Sequence, residues 1–343
     1  MRAARWAGRR ERGSATLIRL MMWLSLTLGW SFGQALLYPI TLYFVLVLRG
    51  GRQASREFLD RALGRPATTL DVFRHFFAFS CVLLDRLFLL SNRLRHFKIN
   101  VTGLNDIESA LSRSRGCMLL GSHLGSFEVL RVVARRSPVP VKILMYRGNT
   151  RPYSRLVEEL DPMLADSIIE IGEPEAMLRV HESVARGEIV GILADRAPQQ
   201  DKAVKVSFLG EPAAFPTGPL VLAAILGAPV VLFFGVRTGH RRYQVHFEHF
   251  ADRVTVDRAR RTEDLANWVQ RYAARLESYA RKYPFNWFNF YDFWEHRAAA
   301  LRPAEPQSAR DAAAAVPFRD IDRSSGRAAA HNRRSDAPLG AGS

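Results

Sequence analysis

A chain of 343 residues accommodates one large domain with appendages, because single cores stop growing at roughly 250–300 residues. Its hydrophobic content of 48% is ordinary for a globular protein, and only two cysteines, Cys81 and Cys117, exclude a disulfide framework or a cysteine-based zinc site. The formal net charge of +16 points to an anionic partner surface: phospholipid, an acidic carrier protein or nucleic acid.

Between Arg19 and Arg49 there is no charged residue, and the run LMMWLSLTLGWSFGQALLYPITLYFVLVL exceeds the ~20 residues that a helix needs to cross a bilayer core. It is too long for the apolar core of a cleavable leader and ends in Arg49, Gly50, Gly51 and Arg52 without a small-residue cleavage site, so it is expected to be retained. Gly29, Gly33, Gln34 and Pro39 interrupt it, leaving open one span or two shorter helices lying in the interface. Arg2, Arg5, Arg9, Arg10 and Arg12 precede it, and Arg52, Arg56, Arg61 and Arg65 follow it. This balance gives no orientation by the positive-inside rule, while a monotopic anchor would put both flanks on an anionic leaflet. Trp23, Trp30, Tyr38 and Tyr43 favour lipid over a buried core helix. Residues 1–52 are therefore expected to form a basic N-terminus and a membrane anchor.

Helical spacing over Ser55–Leu63 and Thr69–Phe97 predicts a lead-in across residues 53–98. From Cys117 the pattern becomes short apolar runs, CMLLGS, VKILMY, SIIEI, IVGILAD, VKVSFLG, PVVLFFGV and YQVHFEHF, which read as strands. Helices are predicted between them over Phe127–Arg136, Ser154–Leu164, Pro174–Arg186 and Pro219–Leu226, with Gly187 as a C-terminal glycine. A last amphipathic helix covers Thr262–Tyr283 and stops at Pro284. The fold class is α/β, a central and mostly parallel sheet flanked by helices over residues 99–297. Residues 298–343, rich in Ala, Arg, Ser, Pro and Asp, lack the apolar content to offset chain entropy and are expected to be disordered.

The chemistry-bearing residues begin with GSHLGSFEVLR, where His123 is followed five residues later by Glu128. A strand that delivers a histidine to a glycine-flanked turn, with a carboxylate in the next helix's first turn, lets the acid orient the imidazole while its other nitrogen takes a proton. No protein nucleophile is needed if the attacking hydroxyl belongs to the substrate. Spacing alone leaves open a surface histidine beside a glutamate that complements the helix dipole.

Three ordered blocks extend this motif: His123 to Glu128 as H-x4-E, then KILMYRGN, then ILADRAP with VSFLGEPAAFPTGPLVLAAILGAPVV. With the N-terminal anchor they resemble the bacterial lipid A biosynthesis acyltransferases of the lysophospholipid acyltransferase superfamily, from about Leu17 to Trp294. The resemblance implies a membrane-associated enzyme that moves a fatty acyl chain from acyl-carrier protein or acyl-CoA to a lipid hydroxyl, on the cytoplasmic face of the inner membrane, without a metal or redox cofactor. It implies His123 as base with Glu128 as its partner. Arg196 after the aspartate and the C-terminal YPFNWFNFYDFW depart from the family and look more like a subgroup associated with polyene-type lipids. The acceptor thus stays open between a lipid A precursor-like glycolipid, a lysophospholipid and a polyene lipid.

Further roles carry alternatives. Arg147 ends its strand, either to neutralise a phosphate or as an ordinary surface arginine. Asp195 and Arg196 stand where parallel sheets place ligand groups, or close a loop by a salt bridge. Thr217 and Gly218 open a helix whose free amides either hold an anion and polarise the thioester carbonyl, or are simply capped. Leu220, Val221, Leu222, Ile225 and Leu226 line an acyl tunnel or a core. His181, His246 and His249 read as structural rather than metal-binding, and Cys117 has no nearby activator. The cluster Trp287, Phe288, Phe290, Tyr291, Phe293 and Trp294 is an interfacial belt or domain packing. A non-catalytic lipid- or carrier-binding protein would have no reason to keep His123 and Glu128. No nucleic-acid partner is expected, because the arginines cluster beside the anchor and in the tail without a basic, aromatic-interleaved face.

Overall fold

The apolar N-terminal run folds as two helices, α1 (Ala15–Leu28) and α2 (Trp30–Val47), broken at Gly29, whose φ of 94° no other residue adopts cheaply. The computed structural model describes residues 15–294 apart from 114–115, 135–138, 146–159, 161–166, 173 and 197–201. The expectations for Arg147, for a helix over Ser154–Leu164, for the basic residues before 15 and for the tail over 298–343 lie outside the described residues.

Helix α3 (Arg49–Leu63) ends on Gly64 in the left-handed conformation, and α4 (Thr69–Leu90) opens with a capping box between Thr68 and Asp71. Then follow β1 (Lys98–Thr102), α5 (Leu104–Arg113), β2 (Cys117–Gly121), α6 (Glu128–Ala134), β3 (Val141–Met145), β4 (Ile168–Glu170), α7 (Ala176–Ala185) and β5 (Ile189–Leu193). The chain continues through β6 (Ala203–Phe208), β7 (Glu211–Pro216), α8 (Gly218–Leu226), β8 (Val230–Gly239), β9 (Arg242–Ala251) and α9 (Arg261–Lys282).

Seven strands form one sheet in the order β1-β9-β8-β2-β5-β3-β4, in which only the β8–β9 hairpin is antiparallel. This is the expected mostly parallel sheet with helices around it, while β6 and β7 pair as a separate hairpin. The centre reads as unbroken apolar runs because both faces are covered: all five residues of β2 are buried. Strand β1 was not foreseen, since at the sheet edge it alternates exposed and half-buried residues. Strand β7, with Pro212 and Pro216, carries little strand propensity, and α5 is a ten-residue helix with one buried residue.

The N-terminal helices pack against α4. Trp30, Gly33, Leu37, Thr41 and Val45, three or four residues apart, make the buried face of α2. Gly33 lets the helices close up, since a Cβ there would lie 2.8 Å from Ser25 Oγ and 2.9 Å from Leu84 Cδ1. Farther along, Thr41 donates to Ser80 and Tyr38 packs on Phe77. Asp85 of α4, with no exposed surface, accepts from Trp30 Nε1 at 2.6 Å and Tyr243 Oη at 2.7 Å, with Arg237 Nε at 3.5 Å. Burial pushes the Asp85 carboxyl up and the Tyr243 phenol well above its ordinary value. One carboxylate thus joins α2 and α4 to the β8–β9 hairpin.

Tyr243→Phe keeps the ring and removes one donor from this buried carboxyl, which should cost about 1–3 kcal/mol. Thermal melting in detergent checks this, and an unchanged melting temperature would show that Asp85 finds another partner at no cost.

Candidate active site

Strands β2 and β5 are parallel neighbours whose last paired residues are Gly121 and Leu193. Two residues beyond each end, in equivalent positions, stand His123 and Asp195, so the pairing register itself brings them together at the carboxyl edge of the sheet, where α/β folds gather ligand groups. Asp195 Oδ1 lies 2.8 Å from His123 Nδ1, and Oδ2 accepts the His123 amide at 3.0 Å and the Trp287 indole N–H at 3.0 Å.

A carboxylate only accepts, so Nδ1 carries the proton and Nε2 is left with its lone pair. The imidazole side chain retains 32% of its exposure, while Asp195 has none. Burial alone would push Asp195 up, but His123 and Arg196 outweigh it and hold the carboxyl at about 2. The His123 imidazole is shifted below its ordinary value by loss of solvent and by the charges of Arg196 and Arg86, against the opposing pull of Asp195. The arrangement is an oriented neutral imidazole at neutral pH, able to take a proton at Nε2.

Glu128 occupies a different place from the one expected. Its carboxylate, nearly buried at the first residue of α6, forms an ion pair with Arg86 of α4 and accepts from Ser126 Oγ at 3.3 Å. The carboxylate bonded to the imidazole is that of Asp195. The physical reason is that the motif loop between His123 and Glu128 is clamped from both sides. Gly125 N donates to Asn286 O, Ser126 N to Gly235 O of β8, and Phe288 N to His123 O. Gly125 has φ 79°, and a Cβ there would sit 2.0 Å from Gly235 O. The loop therefore turns Glu128 towards α4.

The sequence profile of the bacterial lipid A biosynthesis acyltransferases matches residues 77–296. The chain belongs to that family. No curated protein matches the chain closely enough to count as a relative. The protein is thus an acyltransferase that takes an acyl donor and a lipid acceptor, and the matched span contains His123, Asp195 and Trp287.

Of the acyltransferase's other expected site residues, Arg196 lies beside the pair: its Nη2 donates to Phe288 O at 2.6 Å and its guanidinium stands 5.7 Å from the Tyr291 ring. Thr217 is buried at the start of α8 with both its amide and hydroxyl donating to Lys202 O, and Gly218 is exposed. No hydrogen bond among the described residues links Thr217 to His123 or Asp195. Leu220 and Leu222 pack into the main core, whereas Ile225 is exposed. Burial raises the Cys117 thiol to about 12, consistent with an inert core residue. His181 is exposed, His246 bonds to Thr102, and His249 bonds to Asp252. No metal-competent cluster occurs among the described residues.

Sequence reasoning missed Arg86, Asn286 and the indole of Trp287 as residues that hold the His123 loop and Asp195. For Asn286 and Trp287 the only signal was the dense aromatic block after Pro284, which is internal: Trp287 is fully buried and Phe288, Phe293 and Trp294 nearly so.

Gly125→Ala forces a left-handed conformation costing about 1–2 kcal/mol and places a methyl against a carbonyl. The variant should melt well below the parent protein and lose most activity. Parent-like melting and turnover together would mean that the loop adopts another path freely.

Proposed function

We propose that this protein transfers a fatty acyl chain from acyl-carrier protein or acyl-CoA to a hydroxyl of a lipid A precursor-like glycolipid, with His123 as general base and Asp195 as its oriented partner. The observation that carries this reading is the His123–Asp195 pair, with no hydrogen bond at Nε2 among the described residues, in a chain of this family. Nε2 takes the acceptor hydroxyl's proton as the oxygen attacks the thioester carbonyl. The C–S bond then breaks, and the leaving thiolate takes the proton back from the imidazolium. Asp195 fixes the tautomer and stabilises the imidazolium while it exists. Arg196 contributes a fixed positive charge close to the reacting centre, suited to an anionic headgroup. Arg147 is proposed to serve the same headgroup, and Thr217 with Gly218 the donor end. Glu128, neutralised by Arg86, holds the start of α6 and so the loop that carries the base.

The proposed location is the cytoplasmic face of a bacterial inner membrane, with the N-terminal helices lying in the interface. One helix, Trp30–Val47, is long and apolar enough to cross a bilayer. Its buried face is nevertheless spent on α4 and on the Asp85 carboxylate, which favours a monotopic attachment. Trp23 of α1 and Tyr38, Leu42, Tyr43 and Leu46 of α2 are each more than half exposed. Burying such groups in the acyl boundary is the driving force, and the exposed Arg49 and Arg56 just beyond α2 add about 1 kcal/mol each near an anionic surface.

Transfer from a radiolabelled acyl-carrier protein into extracted membrane lipid, with acyl-CoA in parallel, should fall about 10²–10⁴-fold in His123→Ala and at least about 10²-fold in Asp195→Asn. Glu128→Gln should retain most turnover but melt lower. The reverse ranking of Asp195→Asn and Glu128→Gln would return the partner's role to Glu128. Because the base must be neutral and His123 is shifted downwards, the acid limb of kcat/KM should lie below the ordinary imidazole value of about 6.5.

For attachment, deleting the N-terminal helices would also strip Trp30, Leu37 and Val45 from the packed core, so the better test alters only exposed residues. The triple variant Trp23→Ser, Tyr43→Ser, Leu46→Gln should melt like the parent and bind phosphatidylglycerol vesicles at least about tenfold more weakly, given ~1.5–3 kcal/mol per buried apolar side chain. Undiminished vesicle binding would remove this face from the membrane contact.

A further inference from the structure

The segment after Pro284 is bound into the site through Asn286, Trp287 and Phe288. The Asn286 side chain pairs with both backbone groups of Arg237, accepting at 2.7 Å and donating at 3.1 Å. Leu124 and Trp287 bridge in antiparallel fashion, and the Phe288 peptide takes up His123 O on one side and Arg196 on the other. Trp287 is boxed by Phe58, Phe208 and Phe293, with ring centroids 4.9–5.1 Å away. Its carbonyl is held as well. A carbonyl only accepts, so His75 Nε2 donates to it at 2.9 Å, which leaves Nδ1 to accept from Ser55 Oγ at 2.8 Å. Burial holds His75 down at about 4, so this neutral tautomer persists across the working pH range.

We propose that Trp287 is a positioning residue for the base, its indole N–H setting the direction and basicity of Asp195, with Ser55 and His75 fixing the Trp287 peptide. Asp195 Oδ2 is saturated by two rigid donors, the indole and the His123 amide, which turns Oδ1 to the imidazole. Without the indole donor, negative charge is less dispersed over the carboxylate. Asp195 becomes more basic, stabilises the imidazolium more strongly and loses one of the constraints on its orientation. The base would then keep its proton to higher pH, so the acid limb of kcat/KM moves upwards while the imidazole's alignment loosens.

This inference rests on the reading of His123 and Asp195 as the catalytic pair, and the experiment separates the two. Trp287→Phe is the simple variant. Site-specific replacement of Trp287 by 3-benzothienylalanine keeps the ring volume and deletes only the N–H, so the core is preserved if the phenylalanine variant fails to fold. With lauroyl-acyl-carrier protein as donor and a membrane lipid extract as acceptor, the analogue should lower kcat by about tenfold, the scale of one hydrogen bond to a charged group. The donor KM should change by less than about threefold, as expected for a group that does not touch substrate. Its acid limb should move up by a few tenths of a pH unit or more, and in an Asp195→Asn background the analogue should add nothing, because the two act as one unit. An unmoved acid limb, with or without a loss of rate, or an undiminished further loss in the Asp195→Asn background, would overturn the proposal and leave Trp287 as packing alone. If Asp195→Asn alone turned over like the parent, the catalytic pair itself would be refuted.

Discussion

A carboxylate with no exposed surface cannot stay ionised unless its lone pairs are taken up, and at Asp195 three donors from two separate segments do so. Two of these come from His123 and the third from Trp287, more than ninety residues further along the chain. The consequence is geometric as much as energetic. Each donor has to arrive along a fixed direction, so the end of β2, the end of β5 and the segment after α9 hold one another in register.

The same device recurs at Asp85, a second buried carboxylate, which draws Trp30, Tyr243 and Arg237 together. Here the environment pushes the carboxyl up, whereas Asp195 is held down. The difference follows from the partners: an imidazole and a nearby guanidinium outweigh desolvation at one, while neutral donors and a longer guanidinium contact do not at the other. Asp85 joins the N-terminal helices to the domain. The exposed aromatic face of α1 and α2 is consequently tied through Asp85 to the sheet that bears His123.

A third buried carboxylate, Glu128, pairs with Arg86 and closes α6 onto α4. Its position shows how an H-x4-E spacing can carry a motif without carrying the hydrogen bond first expected from it. Two backbones meet at Gly125 and Gly235 with no room for a Cβ, and this close approach decides which way the loop delivers Glu128.

The α/β class, seven of the nine strands, the helical lead-in and His123 were legible because they rest on local terms: apolar runs of strand length, helical periodicity, and a histidine stranded at a glycine-flanked turn. Edge strand β1 and the proline-bearing β7 were not, since neither carries a period or propensity of its own. The carboxylate that bonds to His123 was not legible either. Asp195 was recognisable as a residue at a strand end, but its pairing with His123 depends on β5 lying beside β2, and no local pattern encodes strand order. The aromatic block after Pro284 showed its hydrophobicity in the sequence and not its destination, because a tryptophan indole in a lipid belt and one donating to a buried carboxylate have the same local composition. The chain thus determined by itself its α/β class, seven of its nine strands and the histidine that follows β2 at a glycine-flanked turn. Tertiary structure alone decided which carboxylate bonds to that histidine, because hydrogen-bond partners are chosen by register and burial across distant segments, and spacing along one segment cannot specify them.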